Sequence, residues 1–305
     1  LDLTLLNNRL NVNLDYYDKL TDPLLAAVSV PSSVGSKRVM TNVGSQRTQG
    51  VSGTVKYSPV YHPEERINWT LSASFKHQKA KYEDIGNSLD QFNKENLNTS
   101  LVRYYDGGSP TALWAVRSLG INPSDGRELF LTKEGTYTFE YDTEDEVVVG
   151  NSEPKLEGVL GSTLYWKGFS FSLYFRYSLG ADVFTEATYN KVENISLAGL
   201  KSNQDKRALH DRWQKPGDHA KFKGISLTET TPISSRFVLR ENYIKAESIS
   251  IGYDFESQAV QKLGIQSLRL QANTTDLFRI SSIKEERGIE YPFARSFSFS
   301  LSAMF

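Results

Sequence analysis

The residues of this chain that could do chemistry form no recognised catalytic motif. Its four histidines are His62, His77, His210 and His219, and the last two are spaced unlike any common zinc-binding pair. The sequence contains no nucleophile elbow, phosphate-binding loop or dinucleotide-binding motif. It also contains no cysteine. We therefore predict that the chain has no catalytic site and no metal site, and that it is not an enzyme.

An acidic run at residues 142–146 (Asp-Thr-Glu-Asp-Glu) leaves one alternative open for a cofactor. Carboxylate oxygens are the ligands that calcium prefers, so the run could hold that ion in an exposed loop. The other interpretation is a solvated acidic loop. We expect no cofactor, and calcium is the alternative.

Large aromatic side chains in the long polar segments are better candidates for contact with a ligand. They are Tyr104, Tyr105, Trp114 and Trp213. Each could stack on a sugar ring or grip a peptide, and each could equally pack its own segment. Two arginines, Arg176 and Arg269, are further candidates because they lie on the polar face of predicted β-strands.

The elements that must position these residues are β-strands, and the last one shows the pattern best. Residues 295–305 read R-S-F-S-F-S-L-S-A-M-F, so Phe297, Phe299, Leu301 and Phe305 share one face. Serines occupy the other face. About ten residues of this alternation is typical of a strand that crosses an outer membrane, with the apolar face toward lipid. We assign these four residues to a C-terminal strand used in barrel assembly, although a soluble sandwich strand has the same local pattern.

The alternation recurs along the chain and predicts about nine strands of this kind. The others are expected at residues 1–5, 10–17, 51–58, 67–76, 156–166, 169–179, 248–255 and 268–274. Turns are expected at the Asn7-Asn8 and Lys167-Gly168 pairs, which tolerate positive φ. Trp69 is expected in an interfacial aromatic girdle.

The connections between these strands alternate in length, which favours a barrel over a sandwich. Short connections at 7–8, 59–65, 167–168 and 256–266 alternate with long ones at 18–46, 78–154, 182–235 and 279–294. Outer-membrane barrels have short periplasmic turns and long extracellular loops, so we expect the C-terminus in the periplasm. The second long segment is expected to contain strand-like pieces at 113–118, 128–131 and 137–141. The third is expected to contain helix between 185 and 213.

The barrel interpretation also predicts which way the charged strand residues point. A charge at the middle of the lipid face costs about 2–4 kcal/mol. Lys76, Arg176 and Arg269 should therefore face the lumen.

Composition sets further bounds on the class of protein. The chain has 305 residues and a formal net charge of −1, so nothing in it suggests a nucleic-acid partner. An odd number of strands cannot close a barrel by itself, and an open edge in lipid is costly. We expect residues 1–305 to be one C-terminal portion of a transporter barrel, with a plug domain and the first strands supplied by a longer polypeptide.

Several segments resemble SusC/RagA-type TonB-linked outer-membrane transporters of Bacteroidetes. The matching stretches lie at 5–11, 115–130, 149–158, 212–218, 234–238, 243–253 and 291–299. The resemblance implies a large barrel of about 22 strands closed by a plug. It also implies TonB-powered import of oligosaccharides or peptides through that plug, with a SusD-like surface lipoprotein as partner.

Two other classes remain open from the sequence. One is a secreted all-β glycan-binding module or adhesin. The other is an outer-membrane hydrolase, for which no carboxylate, serine or histidine cluster is found.

Overall fold

In the computed structural model, which describes residues 1–29, 33, 35–36, 38–226, 228–255, 264–284 and 295–305, nine strands form one antiparallel path in chain order. Strands are numbered along the chain. The path consists of β1 (Asp2–Leu5), β2 (Leu10–Thr21), β5 (Ser45–His62), β6 (Ile67–Glu83), β11 (Leu156–Trp166), β12 (Phe169–Phe184), β13 (Val238–Phe255), β14 (Ser267–Thr275) and β16 (Phe297–Met304). A short strand, β15 (Arg279–Ser281), pairs with residues 243–245 in the first half of β13. All nine strands expected from the alternation are therefore present, and each is a neighbour of the next.

Two tight turns lie where the sequence places them. Asn7 and Asn8 have φ values of 52° and 66°, in the left-handed region that asparagine tolerates. Lys167 and Gly168, at 47° and 95°, join β11 to β12 in the same way. These turns fix the pairing register of the strands they connect.

Five of the strands are longer than the sequence pattern predicts, mainly at the end that leads into a long connection. β2 continues to Thr21, and β5 is longer than expected at both ends. β5 and β13 have 18 residues, β6 has 17 and β12 has 16, whereas about 9–11 residues cross a bilayer. The expected ends at residues 76 and 179 and the expected start at 248 were therefore wrong. The alternation fades there because a strand beyond the bilayer has no lipid on either face.

The long connections fold into structure of their own. The first contains an unpredicted hairpin of β3 (Leu25–Ser29) and β4 (Arg38–Asn42). The second contains α1 (Asp90–Glu95) and a sheet in the order β10-β7-β8-β9, formed by β7 (Ala112–Ile121), β8 (Glu128–Leu131), β9 (Tyr137–Thr138) and β10 (Glu146–Asn151). Three of these strands were expected, and β10 was not.

The third long connection is only partly helical. It holds α2 (Glu186–Thr188), a π turn at Tyr189–Glu193, a 3-10 turn at Gly199–Lys201 and α3 (Arg207–His210). The helix expected between 185 and 213 is thus a series of single turns. The connections expected at 256–266 and 279–294 lie largely outside the described residues.

The buried apolar clusters lie mainly in the long connections, with Tyr82 contributed by the end of β6. One cluster contains Val43, Tyr82, Ile85 and Leu89. The other two are formed by Leu101, Leu113, Ala115 and Ile233, and by Val192, Ala208, Phe222 and Phe237. Within the described part of the chain, no helix is both long and apolar enough to cross a membrane.

Candidate functional site

The register of the main sheet sorts its side chains into one apolar face and one polar face. Residues paired directly across neighbouring strands share a face. One such row contains Phe299, Ala272, Ile251, Phe171, Leu164 and Trp69. The adjacent row, on the opposite face, contains Ser298, Asn273, Ser250, Ser172, Thr163 and Thr70. The predicted two-faced wall is therefore present across six strands.

The apolar face is exposed where a water-soluble protein would bury it. Phe299 is 82% exposed, and Phe297, Leu301 and Phe305 are also open. A continuous exposed apolar surface of this size marks contact with lipid or another apolar partner. Phe297, Phe299 and Leu301 occupy the predicted face of β16, and Phe305 follows the end of that strand. Their role in barrel assembly stays a prediction.

Aromatic rings collect at the short-turn end of the apolar face. Phe169 stacks 6.2 Å from Trp166 and 4.5 Å from Tyr253, measured between ring centroids. Trp69 lies two strands away, and its indole Nε1 donates to Ser162 Oγ at 3.0 Å. Amphipathic rings at one level of a transmembrane sheet are typical of the interfacial girdle.

The three strand cations lie on the polar face, and each is paired with a carboxylate. Arg176 donates to Glu247 at 2.5 Å, and Arg269 lies 2.9 Å from Asp254. Lys76 lies 3.3 Å from Glu157. Pairing on the polar face fits the predicted lumen orientation, because it keeps every one of these charges away from lipid. A contact with substrate remains a prediction for Arg176 and Arg269.

A close approach of two strands depends on Gly158, a glycine on the apolar face of β11. The hydroxyl of Tyr177 on β12 reaches across β11 and donates to the carbonyl oxygen of Ser74 on β6 at 2.9 Å. Gly158 lies beneath this bond, and a Cβ at that position would overlap the Ser74 carbonyl. A residue without a side chain is therefore required there.

Two of the four candidate aromatic residues pack within the long connections. Tyr104 lies 5.5 Å from both Tyr82 and Phe92, between ring centroids. Burial, with a smaller contribution from Tyr104, raises the pKa of Tyr82 to about 12. The Trp213 indole of the third long connection donates to the Pro123 carbonyl of the second at 2.9 Å, and its ring packs on Gly126. These residues hold loops together, which is the packing alternative considered from the sequence.

The other two candidates meet in an open cleft. The rings of Tyr105 and Trp114 lie 5.0 Å apart, and Tyr105 is 41% exposed. The cleft has a volume of about 1350 Å³ and is lined by α1, the β8–β9 turn, the 3-10 turn at Thr143–Asp145 and the start of β10. We call it the Tyr105–Trp114 cleft.

A buried ionic cluster, which sequence analysis missed, ties the long connections together. Arg236 donates to Glu128 of β8 and to Glu193 of the π turn, with both closest distances at 2.9 Å. The Glu128 and Glu193 side chains are 1% and 0% exposed. Ser234 Oγ donates to Glu128 at 2.6 Å. We call these four residues the Arg236 cluster.

The environment of Arg236 favours the charged form of its guanidinium. Burial opposes the charge on Arg236, but hydrogen bonds to Glu193 and Glu128 outweigh it and raise the pKa of the guanidinium. The only sequence signal was indirect: Glu128, Ser234 and Arg236 lie inside stretches that carry the family resemblance.

The acidic run at 142–146 is occupied mainly by protein donors. Asp142 accepts from the Glu144 amide at 2.9 Å, and Asp145 accepts from the Lys133 amide at 2.9 Å. Glu146 forms a buried two-point pair with Arg103, with a closest distance of 2.7 Å. Among the described residues, no group of three or more acidic or histidine side chains is arranged to hold a metal ion. Calcium binding here remains an untested prediction.

The wall, the girdle and the loops together define a class of protein. The antiparallel sheet has one exposed apolar face and one polar face with paired charges, and several of its strands are longer than a bilayer crossing requires. These features define part of the wall of a transmembrane β-barrel of the outer-membrane type.

Comparison with known proteins narrows this class. The chain is 24% identical to TonB-dependent receptor P39 of Formosa agariphila, over 92% of this chain and 31% of that protein. It is 23% identical to TonB-dependent receptor SusC of Bacteroides thetaiotaomicron, over 100% of this chain and 31% of that protein. No protein-family model matches the chain.

A solved structure shows the same fold. The structure of the RagAB peptide transporter superposes with a TM-score of 0.74 at 19% identity, over 92% of this chain and 31% of that chain. The expected resemblance is thereby confirmed: over nearly its whole length the chain is similar to TonB-dependent receptors, SusC among them. It spans about a third of the length of the relatives it matches.

These relatives are named as receptors, and the solved structure as a transporter. Neither name describes a hydrolase or a secreted binding module.

Proposed function

We propose that this chain forms wall and extracellular loops of an outer-membrane importer of bulky nutrients, either oligosaccharides or peptides. The observation that carries the proposal is the nine-strand path with an exposed apolar face and a polar face of paired charges. Such a wall separates lipid from a water-accessible conduit. Similarity to SusC and to the RagAB peptide transporter supports import as the task of that conduit.

The partners follow from the same relationship. A SusD-like surface lipoprotein would cap the barrel from outside, and the TonB complex would supply energy through a plug domain elsewhere in the polypeptide. Purification of the full-length protein under mild detergent should recover such a lipoprotein in stoichiometric amount. Recovery of the barrel alone under conditions that preserve other membrane complexes would count against this partnership.

Orientation can be tested directly because the chain has no native cysteine. We expect Glu134→Cys, in the β8–β9 turn, to react with a membrane-impermeant maleimide on whole cells. Lys167→Cys, in the short β11–β12 turn, should react only after the outer membrane is opened. The reverse pattern would refute extracellular long connections and a periplasmic C-terminus.

The function itself is tested by uptake. A strain that lacks the full-length gene should fail to accumulate oligosaccharides or peptides larger than the diffusion limit of porins, and the intact gene should restore uptake. Restoration should disappear when the TonB complex is de-energised. Uptake that is indifferent to the gene or to energisation would refute the proposal.

A further inference from the structure

We propose that a groove in the apolar face of the wall holds one acyl chain of a phospholipid. The groove runs along β14, whose Leu270 and Ala272 form its floor, and the neighbouring strands β13 and β16 form its sides. We call it the Ala272 groove. The proposal goes beyond nutrient import, because it concerns the face of the wall that lies away from the conduit.

The groove arises from a small residue between two large ones. Across the sheet, Ala272 is paired with Phe299 on one side and with Ile251 on the other. Phe299 is 82% exposed and Ile251 is 54% exposed, so both side chains project beyond the methyl group of Ala272. Leu270 continues the floor toward the short turns, beside Leu301 of β16. The depression therefore follows from the register of three neighbouring strands.

The lining of the groove suits hydrocarbon. None of the described residues that line it carries a charge. Gln271 and Ser300 also line it, but by the alternation they belong to the polar face. The Gln271 amide donates to Ser250 and Asn273 on that face. A ligand with charges or hydroxyl groups would therefore find no side-chain partner in the groove, whereas an acyl chain needs none.

The dimensions of the groove select a slender occupant. Its volume of about 370 Å³ lies near the lower end of the roughly 300–1000 Å³ of ligand sites, which fits one chain and not a whole lipid. Neighbouring strands are about 4.7–4.9 Å apart, so the backbones of β13 and β16 are separated by about 9–10 Å. An α-helix with its side chains is about 10–12 Å across, and it would not enter.

A second copy of the barrel is also a poor occupant. Packed sheets stay about 10 Å apart, so a second sheet would rest on the projecting Phe299 and Ile251 side chains and leave the floor empty. Within lipid, apolar groups gain no hydrophobic driving force from association, and van der Waals contact decides which partner stays. An acyl chain in the groove contacts the floor and both sides, whereas a chain on a flat part of the wall contacts one surface.

The end of the groove near the short turns indicates where the chain enters. Phe169 and Tyr253 line that end, with their ring centroids 4.5 Å apart, and both belong to the aromatic girdle described above. Girdle residues lie at the level of the lipid headgroups, so an acyl chain entering there runs along β14 toward the centre of the bilayer. With the short turns on the periplasmic side, as the proposed function has it, the occupant is a phospholipid of the periplasmic leaflet.

The test places the full-length protein in nanodiscs of phosphatidylethanolamine, a small fraction of which carries a photoreactive diazirine in one acyl chain. After illumination, mass spectrometry measures the label on each residue of the apolar face. We expect Leu270, in the groove, to be labelled several-fold more than Leu160, a leucine of similar exposure (45% and 40%) on the same face outside the groove. When the diazirine is moved from the carboxyl end of the chain to its middle, the label should shift from Leu301 toward Phe299.

Filling the floor of the groove should remove the site. Ala272→Phe should lower the label on Leu270 and Leu301 several-fold, to the level found on Leu160, because the new ring takes the place of the chain. Ala73→Phe is the matched control: Ala73 is an exposed alanine of the same face on β6, outside the groove, and its replacement should leave the label on Leu270 unchanged. Heat-modifiable migration reports the folding of both variants, and Ala272→Leu replaces Ala272→Phe if the larger ring prevents folding.

Three results would overturn the proposal. Equal labelling of Leu270 and Leu160 in the unmodified protein would mean that the groove meets only bulk lipid. Unchanged labelling of Leu270 in a folded Ala272 variant would mean that the chain lies elsewhere. Labelling of the groove below that of the remaining apolar face would mean that a protein surface covers it. A label that moves from Phe299 toward Leu301 when the diazirine is moved inward would refute entry from the side of the short turns.

Discussion

Removal of the central cation of the Arg236 cluster should loosen two long connections at once. The Arg236→Met change keeps much of the side-chain volume and removes the charge. It leaves the carboxylates of Glu128 and Glu193 buried, at 1% and 0% exposure, without the cation that bonds to both. Breaking a buried ion pair by deleting one partner costs about 3–5 kcal/mol. At 1.36 kcal/mol for each factor of ten, the local opening equilibrium should rise about 100- to 5000-fold.

Native-state hydrogen exchange, read by mass spectrometry on the full-length barrel, measures this quantity segment by segment. Faster exchange is expected in β8 and in the π turn, because each contributes one carboxylate to the cluster. Exchange in the bilayer-length part of β12 should stay unchanged. Arg240→Met is the matched control: its guanidinium is 57% exposed, and its partner Asp182, although buried, also accepts from the Asn151 amide at 2.9 Å. Its loss should therefore cost less than the loss of Arg236.

A compensated variant sharpens the test. Combining Arg236→Met with Glu128→Gln and Glu193→Gln removes every charge of the cluster, and it should recover much of the lost protection because no uncompensated ion remains. Equal exchange in Arg236→Met and Arg240→Met, or no gain from the triple change, would refute the electrostatic explanation.

Three further outcomes follow from the wall and its loops. Phe299→Arg should impair heat-modifiable folding of the barrel, because a cation at mid-bilayer on the lipid face costs about 2–4 kcal/mol. Ser298→Arg, on the polar face, should be tolerated. Equal effects of the two changes would refute the assigned faces. Tyr82 should ionise only near pH 12 in an ultraviolet titration. Because the folded-state pKa of Tyr82 is raised, its contribution to stability is complete below about pH 10 and is lost as the pH rises toward 12. Ionisation near pH 10 in the folded protein would contradict the burial of this side chain. Gly158→Ala should reduce the yield of folded barrel, because the added Cβ overlaps the Ser74 carbonyl; a normal yield would show that β6 and β11 can separate at no cost.

The positions of the candidate ligand residues were only partly predictable from the sequence. Arg176 and Arg269 lie on the polar face, as the alternation predicts, since facing depends only on odd or even position in a strand. Tyr104 and Tyr105 are adjacent in sequence and equal in type, yet the first packs into a loop core and the second lines a cleft. No local pattern distinguishes them, because the partners that decide burial come from distant segments.

The sequence by itself determined the two-faced wall, the alternation of short and long connections, and the likeness to SusC/RagA-type receptors. Those properties are local: a strand turns over its side chains every second residue whatever surrounds it. The tertiary structure alone decided how far strands such as β6 and β13 project beyond the bilayer, and which charges meet. Arg236 finds Glu128 and Glu193 at separations of 108 and 43 residues along the chain, and such long-range pairing is fixed only when whole loops pack against one another.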